Sequence, residues 1–167
     1  MTTRGRISAG GKMPNAAHWA NVMMPFDEYP GGGKELLGRV PGGNCRHGYC
    51  LKFIQKTRQT ACAYCGLPLL KSYQNWLQMA LDHVVPRGVC GKLSLPQDWV
   101  EDYGNRVLTC AACNGFDNRY KPPPTTTCPQ SLEDFFGLRD RIFADRKARI
   151  AACHKKETEF FEGRPWQ

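Results

Sequence analysis

Residues 105–114 read Asn-Arg-Val-Leu-Thr-Cys-Ala-Ala-Cys-Asn, and the fold is decided there. Val107 and Thr109 are β-branched, so Arg106 to Cys110 reads as a short strand. A helix is predicted to follow from about Ala112 to Tyr120, and Pro122-Pro-Pro124 must end it because none of the three has a backbone N–H. The junction carries Cys110-Ala-Ala-Cys113, a turn that aims two thiolates at one ion. Cys62-Ala-Tyr-Cys65 repeats the spacing, with 44 residues between the pairs. Together the pairs fill all four positions of a tetrahedral zinc and leave none open, so such a zinc stabilises rather than catalyses. A redox CxxC accounts for only one pair at a time. Nine cysteines in all, an odd number, cannot form a closed set of disulfides. Of the other five, Cys45, Cys50, Cys90, Cys128 and Cys153, the first two flank His47 in Cys45-Arg-His-Gly-Tyr-Cys50. A second metal completed by Cys90 or Cys128 and a set of small buried thiols are both open readings.

Between the two pairs lies Leu81-Asp-His-Val-Val-Pro86. A strand is expected from Trp76 to Leu81, continuing through Asp82 and His83 to Val85 and ended by Pro86. Residues 87–104, with Gly88, Gly91, Pro96 and Gly104, read as a long loop. A zinc cross-link draws the ends of this segment together, so that a carboxylate (Asp82), an imidazole (His83) and an amide (Asn114) can meet. An Asp-His pair alone decides little, since a histidine in a mixed strand is more often a satisfied core residue.

Taken in order, Cys62-x-x-Cys65, Leu81-Asp-His-Val-Val-Pro86 and Asn105-Arg-Val-Leu-Thr-Cys-Ala-Ala-Cys113-Asn114 resemble the HNH endonucleases braced by a four-cysteine zinc. The resemblance covers residues 62 to about 121. It implies a ββα-metal core within an α+β protein and a metal-dependent DNA endonuclease that hydrolyses phosphodiester bonds, nicking or cutting duplex DNA. His83 is implied as the general base, Asp82 and Asn114 as oxygen ligands of one catalytic Mg²⁺ or Mn²⁺, and Asn105 as the residue holding the histidine or its loop. Asn118, one helical turn after Asn114, is a further candidate ligand, with a helix cap or a surface amide as the plain alternative. Where many members carry histidine as the last ligand, this chain has Asn114, which favours a hard ion. Arg87, Arg106, Arg119 and Lys121 flank these positions and are candidate phosphate contacts. A non-catalytic, zinc-stabilised nucleic-acid-binding module is the alternative function.

Outward from this core, residues 1–60 form a basic Gly/Pro-rich arm with loops, the nuclease core spans 61–124, and a linker with a C-terminal helix occupies 125–167. His18, Trp19, Met23 and Met24 read as packing anchors. Tyr49 to Gln59 is a short helix or strand. Ser131 with Asp134 is a capping-box variant that opens a long amphipathic helix. Its apolar face runs from Leu132, Phe135 and Phe136 through Ile142 and Phe143 to Ile150, and Arg139, Arg141, Arg146, Lys147 and Arg149 are expected on the surface. The chain of 167 residues carries +8, a surplus that suits a polyanion such as DNA. Nine basic against three acidic side chains fall in residues 1–60, whereas residues 61–130 hold six against five. With no run of roughly 20 apolar residues and no apolar N-terminal segment, a cytoplasmic protein without a membrane partner, monomeric or homodimeric, is expected.

Overall fold

The computed structural model describes residues 24–29, 45–117, 120–164 and 166. Within them the protein is α+β: helices surround a two-stranded antiparallel sheet, and four cysteines gather beside it. Strand β1, Met79–His83, pairs with β2, Arg106–Cys110, in a register that sets Met79 opposite Cys110, Leu81 opposite Leu108 and His83 opposite Arg106. All five residues of β2 are buried, whereas only Met79 of β1 is.

The strand at 76–85 is shorter than its composition suggests. Trp76 and Leu77 belong to helix α2, Tyr73–Leu77, because the Ser72 hydroxyl accepts the Asn75 N–H at 3.1 Å and caps a helical turn there. At the other end Val84 and Val85 leave the strand, their N–H groups donating to the backbone oxygen and Oδ1 of Asn105, each at 2.9 Å. Residues 87–104 are largely helical rather than a loop. They contain α3, Arg87–Lys92, and α4, Gln97–Glu101, followed by a 3-10 turn at Tyr103–Asn105. Pro86 and Pro96 sit just before these helices, where a missing N–H costs nothing. The segment at 49–59 is helical: a π-helical turn at Arg46–Cys50 runs into α1, Leu51–Thr57, which Arg58 ends at φ 62°.

Helix α5 spans Ala111–Phe116 and stops before Tyr120, with Asp117 leaving the helical region at φ −135°. Helix α6, Leu132–Glu162, opens with a complete capping box: the Ser131 hydroxyl accepts the Asp134 N–H, and the Asp134 carboxylate accepts the Ser131 N–H, both at 3.1 Å. Phe135, Ile142, Phe143 and Ile150 of its apolar face pack into one core with Val84, Val85, Val107 and Leu108. Phe26, Tyr29, Cys50 and Phe53, from the stretch assigned to the arm, lie in the same core, and the Tyr29 hydroxyl donates to the Arg106 carbonyl at 3.0 Å. The remaining expectations for residues 1–23 and 30–44 lie outside the described residues. Two arginines expected on the surface are buried instead. Arg139 donates from Nη1 to the Gly104 carbonyl at 2.9 Å and lies 3.7 Å over the Phe26 ring, and Arg146 is 1% exposed. Among the described residues no helix is long and apolar enough to cross a membrane.

Candidate metal centre and the end of strand β1

The first cysteine pair is built by a tight turn. The Gly66 N–H donates to the Cys62 carbonyl at 2.8 Å, and Gly66 takes φ 75°, a left-handed conformation that favours glycine. This turn is tied to β2 by the Ala63 N–H, which donates to the Leu108 carbonyl at 2.9 Å. The second pair spans the β2–α5 junction, where Cys110 Sγ accepts the Cys113 N–H at 3.5 Å. The four sulfurs of Cys62, Cys65, Cys110 and Cys113 all lie within 4.8 Å of one another, with Cys65 and Cys110 3.9 Å apart. Tetrahedral zinc with Zn–S near 2.3 Å sets its sulfurs roughly 3.8 Å apart, so the cluster is compatible with a structural zinc. Hydrogen bonds from Cys110 and Cys113 hold Cys62 strongly toward thiolate, hydrogen bonds with Cys110 and then Cys62 push Cys113 up, and burial raises Cys65 to about 11. A zinc held by the four sulfurs would displace the remaining thiol protons.

His154 on α6 was not singled out in the sequence, yet its Nε2 lies 3.1 Å from Cys113 Sγ and its ring meets Phe116 edge-on. Among the described residues no second group of three or more His, Cys, Asp and Glu ligands gathers. Cys90 instead donates to the Val85 carbonyl at 3.7 Å, Cys128 to that of Leu93 at 3.1 Å, and His47 stacks on Trp76.

At the end of β1, Asp82 and His83 turn to different partners. Asp82 Oδ2 accepts from Arg146 Nη2 at 2.7 Å and from the Tyr64 hydroxyl at 3.0 Å. Burial raises the Asp82 pKa, and Arg146 and the Tyr64 hydroxyl oppose that rise. Arg146 also donates from Nη1 to the carbonyls of His83 and Val84, at 2.8 and 3.0 Å, and so clamps the strand end from α6. Its Nε faces Asp117 Oδ2 at 3.6 Å, too far for a hydrogen bond, and among the described residues both buried atoms have no hydrogen-bond partner. Asp117, buried, is completed by Arg149 at 3.2 Å. Neither Arg146 nor Asp117 was a sequence candidate.

His83 Nε2 is buried, has no hydrogen-bond partner among the described residues, and lies 3.5 Å from Glu101 Oε1. Burial and then the Arg106 guanidinium outweigh Glu101 and hold the imidazole pKa down to about 4. The ring is therefore neutral at pH 7, and its approach to Glu101 is not an ion pair. Glu101 is itself held below the ordinary carboxylate range: burial pushes it up, but Arg106 and Arg87 more than offset that. Its two oxygens are taken by Arg87, at 2.8 Å, and by Arg106.

Asn105, fully buried, holds the loop that follows the histidine. Its Oδ1 accepts from Val85 N, and its Nδ2 donates to the carbonyls of Val85 and Val100 at 3.2 and 3.0 Å. Asn114 is half-buried in α5, and Asn118 and Arg119 lie outside the described residues. Of the candidate phosphate contacts, Lys121 is exposed and Arg87 is exposed though paired with Glu101, but Arg106 is buried and its guanidinium is committed to Glu101. The fold thus brings the four cysteines together and puts Asn105 against the loop after His83. It gives Asp82 to Arg146 rather than to His83 or Asn114. No family model, curated protein or solved structure matches this chain.

Proposed function

We propose that the protein is a metal-dependent DNA endonuclease of the HNH kind, with β1, β2 and α5 as its ββα-metal unit. The observation that carries this reading is the strand–strand–helix run itself. Asp82 and His83 end β1, Asn105 immediately precedes β2, and Asn114 lies in α5, directly after the cysteine that anchors this helix to the sulfur cluster. The donor set fits a hard divalent ion, since Asp82 and Asn114 would both bind it through oxygen. When bound, Mg²⁺ or Mn²⁺ neutralises the scissile phosphate and the departing 3′ oxygen.

The residues of this chain do the rest. His83 is neutral at physiological pH, so the ring nitrogen that carries no proton has a lone pair for the proton of an attacking water without prior deprotonation. Glu101, 3.5 Å from Nε2, favours the imidazolium that forms. Asn105 and Arg146 fix the backbone that follows the ring, through Val85 and through the His83 carbonyl. Buried Arg106 holds Glu101 in place, and phosphate contact falls to exposed Lys121 and Arg87.

The test is relaxation of supercoiled plasmid by the zinc-loaded protein in Mg²⁺ or Mn²⁺. The wild type should nick or linearise it, and His83→Ala should slow that by 10²-fold or more, the usual worth of a positioned base. Equal inertness of both, with zinc content intact, removes the catalytic reading. It would leave a zinc-stabilised nucleic-acid-binding module, which one observation favours: Arg146 already neutralises the carboxylate that a catalytic ion needs.

A further inference from the structure

Cys45 and Cys50 take no part in the sulfur cluster or the β1 site, yet their Sγ atoms lie 3.5 Å apart. The wide π-helical turn at Arg46–Cys50 produces this approach. The Cys50 N–H donates to the Cys45 carbonyl five residues back at 2.8 Å, bringing the two side chains to the same side. The two thiols differ in surroundings. Cys45 is exposed, while Cys50 is fully buried in the core. Cys45 Sγ also accepts the Leu81 N–H at 3.4 Å, so it covers the edge of β1 that faces away from β2.

We infer that Cys45 and Cys50 are a peroxide-responsive thiol pair, in which exposed Cys45 is oxidised first and buried Cys50 closes a disulfide onto it. The electrostatics agree with that division. The hydrogen bond from Cys50, then that from Leu81, with Arg106 and Arg46 nearby, hold the Cys45 thiol down to about 6, while the facing Cys45 and burial push Cys50 up. An accessible thiolate next to a resolving thiol is the arrangement that reacts reversibly with hydroperoxides. In the first step the Cys45 thiolate attacks a peroxide oxygen. The O–O bond breaks, an S–O bond forms, and hydroxide leaves and takes up a proton as water. In the second, Cys50 sulfur attacks Cys45 Sγ and loses its proton. The S–O bond breaks, the S–S bond forms, and the hydroxyl departs with that proton as a second water. Two electrons pass from the sulfurs to the peroxide. The sulfurs need to close by roughly 1.5 Å to reach disulfide length, a shift within side-chain rotation on a wide turn. Closure withdraws the negative sulfur from the Leu81 N–H, on the strand that ends in Asp82 and His83.

The experiment adds hydrogen peroxide stepwise to the reduced, zinc-loaded full chain, blocks free thiols with maleimide and digests with trypsin. Cleavage after Arg46 leaves residues 40–46 and 47–52 as separate peptides unless a disulfide joins them. The linked pair should appear before zinc is released, as read with a chromogenic chelator, and Leu81 amide exchange should quicken in the oxidised form. Cys50→Ser should stop at a Cys45 sulfenic acid that dimedone captures, and Cys45→Ser should give neither product. Release of zinc before any linked peptide forms, or Cys45 sulfenic acid persisting in the wild type, overturns the inference. Because this readout needs no DNA, its outcome is separate from that of the nuclease reading.

Discussion

Arg146 is the residue on which most of the site depends. A guanidinium 1% exposed, holding Asp82, two carbonyls and the edge of Asp117, is tolerable only because each charge finds its opposite. Arg146→Ala leaves Asp82 buried without its cation, and urea unfolding should show a loss of about 3–5 kcal/mol. Arg146→Lys should recover part of it, since one ammonium cannot reproduce the fork. A loss below about 1 kcal/mol for Arg146→Ala would mean that Asp82 is solvated or protonated instead. His83 gives a pH test. Its folded pKa, about 4, lies below the ordinary value of 6.5, so the folded state resists protonation. The resulting stability is full above pH 6.5 and is lost as pH falls toward 4, by at most about 1.4 kcal/mol per unit. Between pH 7 and 4.5 the wild type should lose about 2 kcal/mol more than His83→Gln, a difference from which any acid release of zinc cancels. Equal losses would show that the ring is solvated. At this scale the hold of Asn105 on the loop after His83 was legible because the order of these residues along the chain is informative, while the partner of Asp82 was not. Arg146 was also within reach: Arg139, Ile142, Phe143, Arg146 and Ile150 follow one another at helical spacing, so the two arginines lie on the apolar stripe itself. Their charge argued for the surface, and burial was settled by carboxylates and rings that come from remote segments.

Among the elements, β2, α5 and the turn at 62–66 bring the four cysteines together, and α6 reaches them through His154. Structural zinc contributes on the order of 10 kcal/mol in small zinc domains. Cys110→Ser, or a strong chelator, should therefore abolish cooperative thermal unfolding near the wild-type temperature. An unchanged Tm would show that the sulfurs gather without a metal. The capping box at Ser131 is smaller in scale: Ser131→Ala should cost about 1 kcal/mol, measurable by urea unfolding. Strand β2 and the start of α6 were legible because local signals sufficed, a β-branched run in one case and a cap followed by an apolar stripe in the other. The segment at 87–104 was not. Its glycines and prolines read as loop, while Pro86 and Pro96 in fact precede helical turns, and Val89, Cys90 and Val100 are buried in the core. Packing, rather than propensity, made those short helices.

For the whole molecule, the charge of +8 with its weight in the first 60 residues suits a polyanion, while the described core is nearly balanced by internal ion pairs. If DNA is the partner, binding should weaken linearly in log–log salt plots, and Lys121→Gln should lower the slope by about 0.9, one phosphate's worth. Arg106→Gln should instead lower stability and leave the slope unchanged, because that guanidinium serves Glu101. The nuclease reading rests finally on whether Asp82 and Asn114 share an ion despite Arg146, a question independent of which DNA is cut. Manganese broadening of amide signals in the zinc-loaded protein answers it most directly. The account predicts that Asp82, His83 and Asn114 broaden first and that Asp82→Asn abolishes the effect. Broadening confined to exposed carboxylates such as Glu133 and Asp98, with residues 82, 83 and 114 sharp, would contradict it.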